Sequence, residues 1–253
     1  MGILVRNNKV ISAGGKILYR GTSPFELPNL KLYLSATRMV QQADESSVSS
    51  FTDFSGKSFH ATQGISGFQP KFDLNQFGGA TQPAIKFDGV DDRLLFNTAI
   101  LKNTNVYTFQ MLCKRNVLGT VGMFCYISTS SGVSRLNINT NATSVSVAAR
   151  VVDAEGAGAI TFVSNDLLEH LLQVTLSAGT MYVYWDGVLK GQFTFPSTTI
   201  SNTDSAGCSL GANSGGPDNF LSCAIQGVSL SYNYSDPSTI QAQYRGYLQR
   251  GYL

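Results

Sequence analysis

Glutamate is scarce in this chain. Its 253 residues include four, Glu26, Glu45, Glu155 and Glu169, and only two histidines, His60 and His170. Charged residues of every kind make up 13%. Hydrolysis of a glycosidic bond needs two carboxyl groups facing one another across the sugar, about 5–10 Å apart. Asp153 and Glu155 in "VDAEG" come at strand spacing, but Gly-Ala-Gly follows, which reads as an exposed turn. The two histidines have no supporting motif, so serine-hydrolase chemistry has little to build on. The chain is expected not to be an enzyme.

Other absences narrow the field further. The formal net charge is +2, and the lysines and arginines are scattered rather than gathered into the patch a nucleic-acid backbone requires. No eighteen consecutive apolar residues occur, so neither nucleic acid nor membrane insertion is expected. "MGILVRNNKV" offers too short an apolar run for a secretory leader, and lacks the Ser or Thr of a myristoylation signal. The product is expected to stay in a cytoplasm or be built into something assembled there. Cys113, Cys125, Cys208 and Cys223 form no Cys-x-x-Cys pair, and neither histidine is near one. Zinc and redox motifs are therefore absent, and buried reduced thiols are expected.

What is present is alternation. In "VYTFQMLCK" (106–114) Tyr107, Phe109, Met111 and Cys113 alternate with Thr108, Gln110 and Leu112. In "SVSVAARV" Val145, Val147 and Ala149 alternate with small residues, and "AIQGVSLSYNY" places Val228, Leu230, Tyr232 and Tyr234 on one face. Period two in β-branched and aromatic residues is strand chemistry, because successive side chains point to opposite faces. About a dozen such segments exceed what one open twisted sheet holds, so two packed sheets are expected. "MYVYWDGVLKGQFTF" (181–195) predicts a hairpin turning at Asp186-Gly187. Near the end, Asp236 reads as an N-cap and Pro237 as the first helical residue. Ile240, Tyr244, Tyr247 and Leu248 then make a stripe expected to pack on the sandwich. The first 28 residues, three short β-like pieces closed by Pro24 and Pro28, read as a small arm; the alternative is that its strands join the main sheets.

Two groups of residues carry candidate chemistry. "AIKFDGVDDRLLF" (84–96) sets Asp88, Asp91 and Asp92 at a bend between two strands. Two readings stand: a turn whose carboxylates accept backbone N–H groups, or a calcium site completed by Asp53. On the 181–185 strand, Met181, Val183 and Trp185 share the face assigned to the core. Tyr182 and Tyr184 share the other, where rings can serve as a sugar platform.

Several stretches in order resemble the laminin-G-like branch of the concanavalin A-like lectin/glucanase superfamily. They are "LKLYLSATRMV" (30–40), with Ser35 where an Asp is common, "FTDFSGKSFHATQ" (51–63), "QPAIKFDGVDDRLLF" (82–96), "MYVYWDGVLKG" (181–191) and the final Ser-Asp helix. In the second, Phe51 replaces the family's tryptophan and Ser58 its second glycine. The resemblance implies an all-β, two-sheet antiparallel jelly-roll sandwich over residues 29–253, with a short C-terminal helix and the 1–28 β-arm outside it. The superfamily's glycosidases carry Glu-x-Asp-x-x-Glu on one strand, a pattern missing here. Many relatives bind calcium near a sheet edge, which supports Asp53, Asp88, Asp91 and Asp92 as ligands. The loop "GANSGGPDNF" (211–220) is rich in Gly, Asn and Asp, as lectin loops often are. It adds Asn213, Asp218 and Asn219 to the tyrosines as candidate glycan contacts.

The opening "GILVRNNKVISAGGKILY" resembles the starts of phage structural proteins. The leading expectation is a non-enzymatic virion protein of a tailed phage: a head-fibre, decoration or tail-associated subunit. It would dock on other virion proteins through residues 1–28, form a homo-oligomer, and meet host surface glycans through the jelly roll. The alternatives are a bacterial carbohydrate-binding or adhesion module and, third, a glycoside hydrolase of the same superfamily.

Overall fold

A computed structural model describes residues 4–6, 9–11, 17–19, 27–39, 42–77, 82–96, 99–101, 103–128, 134–200, 207–213 and 219–249. Of the 1–28 arm it describes Leu27, Pro28 and three strands, β1 (Leu4–Arg6), β2 (Lys9–Ile11) and β3 (Ile17–Tyr19), an antiparallel meander that among the described residues pairs only with itself. Pro24 lies outside the described residues. The body of the chain starts with β4 (Leu30–Ser35), β5 (Ser46–Ser47), β6 (Ser50–Phe51), β7 (Ala61–Thr62), β8 (Lys71–Phe77), β9 (Gln82–Asp88) and β10 (Leu94–Phe96). The long strands follow: β11 (Val106–Arg115), β12 (Gly122–Ser128), β13 (Ser134–Asn141), β14 (Ser144–Ala149), β15 (Gly158–Val163) and β16 (His170–Ser177). Then come β17 (Thr180–Trp185), β18 (Val188–Thr194), β19 (Cys208–Leu210), β20 (Ser222–Ser231) and helix α1 (Pro237–Gln249).

Two antiparallel sheets stack as a sandwich. One runs β15-β14-β13-β12-β19-β10-β7-β6, and the other β18-β17-β16-β11-β20-β9-β8-β5 with β4 also on β20. The alternating residues fill the space between them. Tyr107, Phe109, Met111 and Cys113 lie in one apolar core with Val145, Val147, Ala149, Met181, Val183, Trp185, Val228 and Leu230. Each large apolar side chain buried this way stabilises the fold by roughly 1.5–3 kcal/mol. All four cysteines are buried free thiols. Burial raises the pKa of Cys113, Cys125 and Cys223, so these three stay protonated.

The 181–195 hairpin turns as its sequence predicts, with Asp186 (φ 53°) and Gly187 (φ 72°) both left-handed. Gly187 is needed twice, because a Cβ there would meet the Tyr244 ring at 3.0 Å. Asp236 caps α1, its Oδ1 accepting the Thr239 N–H at 2.9 Å. Tyr247 is buried against the outer face of the nine-stranded sheet, Ile240 is also buried and Tyr244 is partly so, but Leu248 is 44% exposed. At 100° per residue, 244 and 247 fall close to 240 around the helix, whereas 248 lies about 80° away.

Tyr234 also departs from its sequence reading. β20 ends at Ser231, so the alternation does not continue, and the Tyr234 ring packs 6.4 Å from Tyr182, on the opposite face from Val228 and Leu230. The bend after Asp88 lies between two strands and joins β9 of one sheet to β10 of the other, a crossover at the end of the sandwich.

One irregularity shapes the edge. β20 shares a single flank between two strands: Ser222–Ile225 pair with β9, and Gly227–Ser231 pair with β4. The chain leaves the sheet after Ser35 through a 3-10 turn, Ala36–Arg38, so that β9 can take over. Buried Asp53, just past β6, ties this edge together. Its Oδ1 accepts the N–H of Tyr33 and of Ser55, each at 2.9 Å; its Oδ2 accepts Phe59 N at 2.9 Å and Ser55 Oγ at 2.8 Å. The Asp53 N–H in turn donates to His60 Nδ1 at 3.0 Å.

Asp53→Ala would strand buried donors and should lower stability by about 3 kcal/mol or more. Ser58 holds φ 60°, the conformation a glycine adopts freely. Ser58→Gly should therefore raise stability by about 0.5–1 kcal/mol. Urea unfolding midpoints of the two variants check both signs.

Candidate functional site

The edge where β4 gives way to β9 opens into a cleft of about 560 Å³ lined by Arg38, Met39, Gln42, Ser49, Ser50, Thr52 and Phe54. Its size falls within the roughly 300–1,000 Å³ typical of small-molecule sites. Each wall has a structural origin. The 3-10 turn carries Arg38 out of the sheet, and β6, the outermost strand of the eight-stranded sheet, supplies Ser50. Phe54 follows the Asp53 anchor and is fixed by its own N–H to the Tyr33 carbonyl at 2.7 Å. The Tyr33 and Phe54 rings meet edge to face with centroids 6.3 Å apart. The Arg38 guanidinium lies over both, 5.0 Å from the Tyr33 centroid and 5.5 Å from that of Phe54. A cation on two aromatic faces is held electrostatically. Sequence reasoning missed this site, because Tyr33 and Arg38 lie in one local pattern and Phe54 in another, and nothing in either shows that the two meet. The clue available was that Phe54 sits inside the Asp53 motif.

The residues singled out in sequence do not form one site. Tyr182 and Tyr184 stand on the outer face of the nine-stranded sheet, Tyr182 in register through Thr175 and Thr108 with Ser231 at one end of β20. Tyr184 is buried, while Tyr182 and the 37%-exposed Tyr234 form a small aromatic patch. Burial, then Tyr234, Tyr182 and Asp236, raises the Tyr184 pKa. Asn213 and Asn219 lie in the connection from β19 to β20, beside Ser222 at the other end of β20. Nine residues of strand put about 30 Å between the two groups. Asp218 lies outside the described residues.

Asp88, Asp91 and Asp92 do converge, with one carboxylate oxygen from each within 4.8 Å of the others. Asp53 is not part of that group, and its carboxylate is filled by the donors named above. Asp88 Oδ1 accepts the N–H of Val90 at 2.8 Å and of Asp91 at 3.3 Å, and Asp92 Oδ2 accepts the Asp88 N–H at 2.9 Å. Gly89 (φ 83°) packs where a Cβ would meet Ser222 N at 2.7 Å, which pins the bend to β20. Burial, aided by the charges of Asp88 and Asp91, pushes the Asp92 carboxyl up to about 6, although the Asp88 N–H and Lys71 pull it down. The three could hold a hard cation. A second acidic group, Asp44, Glu45 and Asp73, has Lys86 at 3.4 Å from both Glu45 and Asp73.

His170 is the other marked electrostatic feature. Its Nδ1 lies 2.7 Å from Asp186 Oδ2, its Nε2 2.6 Å from Asp166 Oδ1, and its ring stacks on Trp185 at 4.5 Å. Burial lowers its pKa, but the two carboxylates outweigh that and the net shift is upward. Asp186 also accepts the Leu171 N–H at 2.9 Å, so the clasp secures the root of the 181–195 hairpin. Of the acids considered for catalysis, Glu155 accepts the Ser197 N–H at 2.6 Å and Asp153 pairs with buried Arg135. Both are engaged in holding loops.

No family model and no curated protein matches the chain. Solved structures do. The binding domain of botulinum neurotoxin serotype D superposes with a TM-score of 0.62 at 14% identity, over 88% of this chain and 52% of that one. The serotype D domain in complex with N-acetylneuraminic acid gives 0.61 at 14%, with the same coverage. Domain 4 of a GH43 extracellular arabinanase from Geobacillus stearothermophilus, in complex with arabinotriose, gives 0.59 at 15%, over 85% of this chain and 98% of that domain. The chain thus spans about half the length of the toxin binding domains it matches. These likenesses establish the β-sandwich fold. Among the described residues, no helix is long and apolar enough to cross a membrane.

Two titrations follow. A carboxyl with a raised folded pKa costs stability above that pKa, and the cost disappears below the unfolded value. Asp92→Asn should therefore stabilise the protein by about 1–2 kcal/mol at pH 7.5 and leave it unchanged near pH 4. Calcium added during thermal melting tests the cation reading: a bound ion raises the wild-type midpoint and not that of Asp92→Asn. His170, raised instead by anionic partners, contributes stability that is full below its unfolded pKa and lost as pH rises through the folded one. His170→Gln should flatten the decline of stability above about pH 6.5, measured by urea unfolding across pH.

Proposed function

We propose that this chain is a non-catalytic carbohydrate-binding module that engages glycans at the Arg38–Phe54 cleft. The cleft itself carries the reading. An aromatic ring, a cation and several hydroxyls converge in a concave opening at the rim of a rigid sandwich, the mixture that holds a sugar by its apolar face and its hydroxyls. Solved structures of like fold hold N-acetylneuraminic acid and arabinotriose, which supports sugar as the ligand class. Hydrolysis is not proposed, since no carboxylate is among the described residues lining the cleft.

The finer assignment is a virion subunit of a tailed phage, with residues 1–28 joining the module to other virion proteins. Its support is the β1–β3 meander, which among the described residues pairs with no strand of the sandwich, and the resemblance of the opening residues to phage structural proteins. A second reading, a bacterial carbohydrate-binding module, is favoured by the arabinanase domain, which matches over nearly its whole length.

A glycan array probed with the whole chain tests the module. Phe54→Ala should weaken the strongest binder about tenfold, the loss of one ring contact, while Tyr182→Ala leaves it unchanged. Loss with Tyr182→Ala alone would move the site to the tyrosine patch. Deletion of residues 2–28 should leave a folded sandwich that no longer enters particles, and normal incorporation would remove the docking role.

A further inference from the structure

We propose that the free edge of β15 pairs with the same edge of a second copy of this chain, joining two eight-stranded sheets across a two-fold axis. The two sheets of one chain end in four strands, β15 and β6 in one, β18 and β5 in the other. An open edge offers its backbone N–H and C=O groups to any passing strand, so native proteins shorten, bend or charge such edges. Three of the four are blunted in these ways. β5 and β6 are two residues long. β18 carries Lys190, and its pairing shifts register between Val183 and Tyr184, which bends the strand. β4, whose ladder is with β20, has its other flank closed by the Leu34–Asp53 bridge and the Phe54 N–H.

β15 has none of these protections. All six of its residues pair with β14 without a shift in register, and its sequence GAITFV contains neither charge nor proline. Among the described residues, no strand pairs with its other side. The absence of charge also indicates which partner fits. When a strand pairs antiparallel with its own copy, residues near the axis meet their twins, so a charge there repels itself. A foreign strand imposes no such condition. β14 beside it is uncharged as well. The acids flanking β15 are already engaged, Asp153 with Arg135, Glu155 with the Ser197 N–H and Asp166 with His170.

Apolar surface lies where such a contact would spread. Val163, the last residue of β15, is 78% exposed, and Leu167 and Leu168 in the connection to β16 are 45% and 62% exposed. They widen the contact toward the roughly 800 Å² per partner that a stable interface buries. The pairing also sets the two clefts apart. β6, which supplies Ser50 to the cleft, is the far edge of the same sheet. Two eight-stranded sheets joined at β15 would hold the two β6 edges up to about 70 Å apart. One dimer would thus present two sites to one glycan-bearing surface; this consequence, unlike the dimer itself, rests on the glycan-binding reading.

Sedimentation equilibrium of the full chain is the test: the mass should rise with concentration from one chain to two and go no higher. Thr161 is exposed near the middle of β15, so lysines placed there in both copies stand opposite or diagonal to one another. Thr161→Lys should therefore raise the dissociation constant about tenfold or more. Ala159→Lys, on the same exposed face, should do the same, while Gln192→Lys on β18 leaves the dimer unchanged. A far-UV circular dichroism spectrum like that of the wild type confirms that a variant is folded, and either β15 variant suffices. A single-chain mass at every concentration, a larger assembly, or a dimer that a folded β15 variant leaves intact overturns the inference. The glycan array reads sugar binding independently of all these outcomes.

Discussion

The carboxylate of Asp53 is the constraint on which the open edge of this sandwich depends. It lies just beyond β6 of one sheet and takes the Tyr33 N–H from β4 of the other, so its side chain reinforces the backbone bridge between Leu34 and Asp53 that joins the two layers here. The same group closes the loop that follows through Ser55 and Phe59. A buried carboxylate is tolerated only when its oxygens are filled with donors, and here four contacts fill them. The positions of Tyr33 and Phe54, and through them of Arg38, follow from that arrangement.

The outer face of the nine-stranded sheet solves a different problem. It is not apolar throughout: Gln110, Gln173, Gln226 and Ser229 are buried on it. Helix α1 meets both characters at once. Tyr247 packs with Leu112, Leu171 and Ala224, while Gln243 Oε1 accepts the side-chain amides of Gln110 at 2.5 Å and Gln173 at 2.9 Å. The glutamines therefore fix the helix in register, because a slide of one turn would leave buried amides unpaired. The tyrosine patch lies beyond the start of this helix and stays shallow.

Local chemistry was legible in the sequence where it depended on neighbours in the chain. Alternation in 106–114 and 144–151 announced the core faces, Asp186-Gly187 announced a turn with two left-handed residues, and Asp236-Pro237 announced the start of the helix. The errors arose where a neighbour distant in sequence decides. Tyr234 reads as a continuation of β20 until one knows that pairing with β11 and β4 stops at Ser231. Nor does anything local show that the strands on the two sides of the Asp88 bend belong to different sheets. The cleft was invisible for the same reason. It exists because β4 and β9 divide one flank of β20, a pairing over almost two hundred positions.

That divided flank also fixes when the fold can form. β20 sits between β11 on one side and β4 with β9 on the other, yet it follows all three of these partners in the chain. Until residues 222–231 emerge, the strands waiting for it expose unpaired edges and an uncovered apolar face. Such long-range closure is slow and leaves the nascent chain prone to edge-to-edge association. The strand that completes the sheet thus acts as a late checkpoint: fragments ending before it carry most of the core residues and lack the element that makes them a single body.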